Sequence, residues 1–281
     1  MQKLDLTELQ IRVDELRKAT TTNFLDSSKQ SETTYDCPKC KDAGFIVDGW
    51  TARECSCMEQ KRLNARIKNA MIPDEFKDAR FDTYKITNDA QKTLYDAMTQ
   101  YLKEFADIKD QSSNSIGFIA AFGEQRLKEI KDKTLRAKMK KIHNNFGLGK
   151  THLQVAAAKW LMRHGYPTLV VSDVSLMEDL SASRTYDDNG IDFNKILGGV
   201  IQTPVLVWDD IGKVKTSGFR LDMYYQIINE RYKTKRPIIF SSNEDLETLT
   251  EKIGDAAASK LFGMSKGRIY AVEGEDFRLK G

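Results

Sequence analysis

The string Gly147-Leu148-Gly149-Lys150-Thr151 constrains the fold of this 281-residue chain more than any other feature. Glycines let the backbone turn its N–H groups inward around an anion, and a helix starting at the lysine aims the positive end of its dipole at the same point. The lysine can then reach the β- and γ-phosphates of a nucleotide, and the threonine hydroxyl can coordinate Mg²⁺. The string therefore predicts a phosphate loop for ATP between a buried strand and a helix. One departure marks it. The full spacing G-x-x-x-x-G-K-[ST] has glycine where this chain has Asn144, and the apolar strand that should feed the loop, Ser115–Phe122, ends well before it. Either Gly123 is the displaced first glycine, with a helical insertion lodged inside the loop, or Asn144 itself takes a left-handed conformation, which asparagine tolerates.

The surrounding pattern suits such a loop. Three apolar runs each follow a proline: TLVVSD after Pro167, VLVWDD after Pro204 and IIFSSN after Pro237. Proline is tolerated at a strand's start because it need not donate to the ladder there. Helices are expected at Asp89–Phe105, Thr151–His164, 217–234 and 246–263, with a last strand at 268–274. Continuous apolar strands alternating with helices predict an α/β domain whose five-stranded parallel sheet is covered on both faces.

The second half of a nucleotide site follows. Val205–Trp208 runs into Asp209 and Asp210, the Walker B arrangement. Asp209 would hold Mg²⁺ through water, and Asp210 would polarise the attacking water. Asn243 ends the next strand, where parallel sheets bind ligands. It would orient that water or contact the γ-phosphate; a turn-forming asparagine is the alternative.

All four cysteines lie in Cys37-x2-Cys40 and Cys55-x-Cys57. Clustered thiols favour a metal over disulfides. Four thiolates suit tetrahedral Zn²⁺ and leave no open catalytic position, so the module reads as structural; a [4Fe–4S] cluster is the alternative. Ahead of it, Leu6, Leu9, Val13 and Leu16 share one face of a helix expected over 4–19, with a capping box from Thr7 and Gln10. Residues 20–34 read as a polar linker, and 61–72 as a basic helix ending before Pro73.

Charged residues make up 30% of the chain and mean hydropathy is −0.52. No apolar run approaches the ~20 residues that cross a bilayer, and the N-terminus lacks the apolar stretch of a signal peptide. A cytoplasmic protein without membrane association is expected. The net charge is only +3, yet residues 124–143 hold eight lysines and arginines against three acids. This segment reads as a solvated helix, with contact to DNA phosphates as the sharper alternative.

Together, Cys37-Pro38-Lys39-Cys40, Cys55-Ser56-Cys57, GLGKTHL (147–153), VLVWDDIG (205–212), FSSN (240–243) and the C-terminal run from Gly254 to Leu279 resemble bacterial replicative helicase loaders of the DnaC/DnaI type. These are AAA+ ATPases. The resemblance runs from about residue 35 to the end and is shared with the IstB transposition helpers. It implies Walker A roles for Gly149, Lys150 and Thr151, Walker B roles for Asp209 and Asp210, and a sensor 1 role for Asn243. The family's trans-acting arginine falls on Lys260, which lacks the planar guanidinium fork; Arg231, Arg268 or Arg278 could carry the role instead. It further implies no separate helical lid. Residues 1–70 would dock a hexameric replicative helicase through a zinc module. Residues 71–281 would form the AAA+ domain that binds ATP and single-stranded DNA and self-assembles with ATP. The expected function is ATP-dependent loading of a replicative helicase onto DNA. The alternatives are an IstB-like transposition helper and an ATP-binding switch with little hydrolysis.

Overall fold

Val205, Leu206, Val207 and Trp208 are all at most 1% exposed in β5 (Val205–Asp209), as a strand covered on both faces requires. The computed structural model describes residues 37–48, 51–58, 61, 71–184 and 190–274. The helix expected at 4–19, the linker at 20–34, nearly all of the basic helix at 61–72, and Arg278 lie outside them. The chain divides into two compact units, Met1–Gln60 and Lys61–Gly281.

In the first unit, β1 (Phe45–Asp48) pairs antiparallel with β2 (Thr51–Glu54), Phe45 opposite Glu54. Two cysteines precede this hairpin and two follow it, so strand pairing alone brings the pairs together.

In the second unit, β3 (Ile116–Ala120), β4 (Thr168–Ser172), β5, β6 (Ile238–Ser241) and β7 (Ile269–Val272) form a sheet of order β4-β5-β6-β3-β7. Every neighbouring pair is parallel. The helices are α1 (Asp89–Ile108), α2 (Glu124–Glu129), α3 (Lys133–Ile142), α4 (Lys150–Arg163), α5 (Asp173–Ser183), α6 (Ile191–Gln202), α7 (Gly218–Lys233), α8 (Leu246–Ile253) and α9 (Asp255–Met264). Period-2 alternation splits the sheet's side chains into two cores. Val205, Val207 and Ile239 pack with α1 and α4, whereas Leu206, Trp208, Ile238 and Phe240 pack with α5 to α9.

Three expectations change. The helix expected over 246–263 is two helices broken at Gly254, whose φ of +88° ends α8. The basic insertion is two helices, and Asp132 starts the second by accepting the N–H of Leu135 at 2.8 Å. Between β4 and β5, where no helix was expected, the chain forms α5 and α6; Leu176, Met177 and Leu180 carry the helical spacing that signals α5. Among the described residues, no helix is long and apolar enough to cross a membrane.

Candidate functional site

Gly147 and Gly149 hold φ of +64° and +80°, and α4 begins directly after them at Lys150. Side chains cap α1 and α7 through Asn88 and Ser217, but Gly149 offers no such cap to α4. The helix therefore aims its positive dipole end at the loop. Glycine is required at 149 for a second reason: a Cβ there would lie 2.5 Å from Cε2 of Tyr84. The Tyr84 hydroxyl donates to Leu148 O at 2.7 Å and fastens the loop from outside.

The loop's lysine points inward. Lys150 Nζ donates to Asn243 Oδ1 at 2.8 Å, Asn145 O at 3.2 Å and Ser242 O at 3.3 Å. Thr151 Oγ1 donates to the Asp209 carboxylate at 2.9 and 3.1 Å, and Ser241 Oγ donates to Asp209 Oδ1 at 2.6 Å. Gln154 completes this clasp. With its carboxamide turned to satisfy both ends, it donates to Asp209 Oδ1 at 2.7 Å and accepts the Ser241 N–H at 3.0 Å. Asp210 adopts a left-handed φ of +53° beyond the strand, and its Oδ1 accepts from Asn243 Nδ2 at 2.8 Å. Burial first, and the Asp209 charge second, push the Asp210 carboxyl above the usual carboxylate range. A raised carboxyl beside a second carboxylate and a buried ammonium suits a proton acceptor next to a cation-binding acid.

Asp210 and Asn243 line a cleft of about 660 Å³ with Glu75, Phe76, the loop from Asn145 to His152, and Lys213. Among the expected site residues it unites Gly147, Gly149, Lys150, Thr151, Asp210 and Asn243, with Asp209 bonded behind Thr151. Asn144 does not line it and is not left-handed. Its Nδ2 donates to Gly274 O and to Phe146 O at 2.6 and 2.9 Å, so it braces the loop against the chain after β7. Gly123 is no phosphate-loop glycine either. It precedes α2 with a φ of −66°, and its N–H donates to Asp245 Oδ2 at 2.9 Å.

The candidate trans-acting cations separate. Lys260 is half-buried, with Nζ donating to Ala256 O at 3.3 Å and lying 5.0 Å from the Tyr225 ring centroid, and does not line the cleft. Arg231 cannot serve. It is fully buried and donates to the carbonyls of Val200, Ile201, Thr203 and Pro237, joining α6 to the start of β6. Arg268 donates to Ser113 O at 3.0 Å and pairs with Glu104 at 3.5 Å.

Sequence reasoning missed the segment before α1. His152 Nε2 lies 2.8 Å from Arg80 O, and buried Lys159 donates to the carbonyls of Phe76 and Ala79 at 3.1 and 3.2 Å, so α4 pulls residues 76–84 over the loop. It also missed Asp173, fully buried, which accepts from Trp208 Nε1, the Tyr224 hydroxyl and the N–H groups of Lys213 and Val214. This carboxylate pins the turn after Asp210. Burial raises it to about 6 despite those four donors. Gln154 could have been found, since it lies one helical turn past Thr151 on the same face.

In the first unit the sulfurs of Cys37, Cys40, Cys55 and Cys57 all lie within 4.8 Å of one another. Cys37 and Cys55 are 3.8 Å apart, and Cys40 and Cys57 3.4 Å, too far for disulfides. A tetrahedral ion with ~2.3 Å bonds to sulfur places its ligands about 3.8 Å apart, which this cluster matches. The Cys40 amide, against burial, lowers the Cys37 thiol to about 7, while burial and the neighbouring sulfurs push Cys57 up to about 12. Four sulfurs this close can ionise together only around a cation.

Over residues 141–281, about half of the chain, the sequence matches the family of IstB-like ATP binding proteins. The phage-like element PBSX protein XkdC of Bacillus subtilis is 26% identical over 95% of this chain and 94% of its own. The replicative helicase loader DnaC of Escherichia coli is 22% identical over 86% of this chain and 85% of its own. Among solved structures, the DnaC helicase loader superposes with a TM-score of 0.53 at 20% identity, covering 72% of this chain and 100% of that one. DnaI does so with a TM-score of 0.52 at 18% identity, covering 75% and 98%. At these identities the structural likeness carries the fold.

Proposed function

We propose, from the premise that the chain belongs to the family of IstB-like ATP binding proteins, that it is an ATPase that loads a replicative helicase onto DNA. The observation that carries the ATPase half is the convergence of Lys150, Thr151, Asp210 and Asn243 on one cleft, with Asp209 bonded behind Thr151. On phosphate binding, Lys150 exchanges its three protein oxygens for β- and γ-phosphate oxygens. The uncapped start of α4 and the loop N–H groups hold the rest of the phosphate chain. Thr151 and Asp209, already bonded to each other, would hold Mg²⁺, which when bound neutralises charge on the phosphate oxygens. Asp210 accepts the proton of the attacking water, and Asn243, once released by Lys150, orients that water or the γ-phosphate.

The helicase half rests on the named relatives, which cover most of the chain. Single-stranded DNA and ATP-dependent self-assembly are what the sequence resemblance to helicase loaders implies, and the site of action is the cytoplasm. We assign Zn²⁺ to the four cysteines, since the cluster's spacing fits it. The metal-held hairpin within residues 1–70 would dock the helicase, and 71–281 would form the ATPase domain; Phe45 and Val47, on one face of β1, are 54% and 72% exposed. The family match also supports an IstB-like transposition helper. An ATP switch with little hydrolysis is favoured by a lysine, Lys260, standing where the resemblance puts an arginine.

The test is ATP turnover by the full chain with its cognate hexameric helicase and single-stranded DNA. Turnover should rise with both partners, and Asp210→Asn should keep ATP binding while losing turnover about 10²-fold or more. Capture of a transposase instead of the helicase would promote the IstB-like alternative. Unchanged turnover in Asp210→Asn would move the proton acceptor elsewhere.

A further inference from the structure

The cleft holds a second fixed cation besides Lys150. Lys213 lines the same cavity, three residues past Asp210. Its backbone has little freedom, because its N–H donates to Asp210 O and to Asp173 Oδ2, each at 3.0 Å. Its side chain crosses toward the phosphate loop, with Nζ 5.7 Å from the centroid of Phe146. There it meets Glu124 Oε2 at 2.7 Å. Glu124 is the first residue of α2, and its N–H donates to Asn243 O at 2.9 Å, so this carboxylate is fixed to the residue that grips both Lys150 and Asp210. The other acids acting on Lys213 are Asp210 and Glu244.

The ion pair is built so that it can open. Glu124 uses its second oxygen, Oε1, to hold Lys128 at 2.8 Å. If Lys213 leaves, Glu124 keeps a cation and no half-buried carboxylate is stranded, which is the usual cost of breaking such a pair. A phosphate group arriving beside Asp210 and Asn243 carries more negative charge than a carboxylate that another lysine already shares. The lysine stem, anchored at both backbone bonds and only partly exposed, needs only side-chain rotation to respond.

We propose that Lys213 is a specificity residue for the terminal phosphate of a nucleoside triphosphate, held by Glu124 of the basic insertion until that phosphate binds. The proposal rests on the nucleotide-site reading above. A diphosphate offers no group at that end, so Lys213 stays on Glu124. The lysine thereby favours triphosphate over diphosphate from within the same chain, and it gives up its partner on the insertion when it does so.

Dissociation constants of MgATPγS and MgADP, measured by calorimetry on the full chain, test this. Lys213→Gln should weaken MgATPγS about tenfold, as removal of one charge-assisted hydrogen bond predicts, and leave MgADP within about twofold. Lys213→Arg should retain most of the discrimination. Glu124→Gln, which frees the lysine, should raise the preference for MgATPγS. A static ion pair that merely fastens the insertion would lower thermal stability in both variants and leave the two affinities in their parental ratio; that result overturns the proposal. Should Lys213→Gln not fold, an unchanged ratio in Glu124→Gln overturns it equally. A parent chain that binds neither nucleotide overturns the nucleotide-site reading itself. Loss of both nucleotides in Lys150→Ala, with both retained in Lys213→Gln, rejects Lys213 alone.

Discussion

The cysteine hairpin and the nucleotide cleft answer one electrostatic problem in opposite ways. In the hairpin, four like groups crowd within 4.8 Å, and its strands contribute only four residues each. The buried cluster there consists of Cys37, Cys40 and Cys55, with Ile46 and Cys57 packed against it. Among the described residues this hairpin buries too little apolar surface to fold by burial, so its ligand must supply the energy. The cleft carries its own cation, Lys150, satisfied by three protein oxygens and backed by two extensive cores. The difference teaches that one unit should depend on its ligand for structure, while the other should use its ligand for work.

The largest effect should come from breaking the first half of that contrast. Structural zinc contributes roughly 10 kcal/mol or more of apparent folding free energy in small modules. Elemental analysis of protein purified without added metal should find one zinc per chain. Cys37→Ser, or chelation, should release it and abolish amide protection over 37–58, while hydrogen exchange in the sheet stays unchanged. A metal-free hairpin that keeps its protection would end the zinc assignment, and iron in the sample would favour the cluster alternative.

A smaller effect sharpens the contrast within the insertion. In α2, Arg126 pairs with Asp245 and Glu247, and Lys128 pairs with Glu124. In α3, Lys133, Arg136, Lys138, Lys140 and Lys141 pair with no carboxylate among the described residues. If the insertion touches single-stranded DNA, α3 should do it. Changing Lys133, Lys138 and Lys141 to Gln should lower the salt slope of DNA binding by roughly 0.7 for each phosphate no longer neutralised, while Lys128→Gln should leave it alone. Equal slopes in all variants would return α3 to a solvated face.

What was legible in the sequence was what lies at strand ends. Asp209, Asp210 and Asn243 each sit within a few residues of an apolar run, and a parallel sheet necessarily delivers such positions to one edge, whereas Lys150 was read from the glycines before it. Legibility failed where contacts span long stretches of chain. Tyr84 reaches Leu148 across 64 residues, and nothing in the tyrosine's neighbours announces the glycine it covers. Asn144 shows a local failure. Its identity suggested a backbone role, φ above zero, whereas its carboxamide does the work by bridging to Gly274. The insertion misled for a related reason: a count of lysines and arginines cannot distinguish cations already paired, as Arg126 is to Asp245 and Glu247, from cations left in solvent. Gly254 was readable in principle, since a glycine inside a helical pattern lowers its propensity and can end it.

In the second unit, everything proposed for the cleft depends on Lys150 gripping the nucleotide's phosphates. Equilibrium binding of MgATP to the parent chain and to Lys150→Ala tests it most directly. Lys150 is 7% exposed, and its charge-assisted phosphate contact is worth roughly 1.5–3 kcal/mol. The parent should bind MgATP, and Lys150→Ala should bind it more weakly by about one to two powers of ten at unchanged thermal stability. Equal affinity in the two proteins would contradict the account.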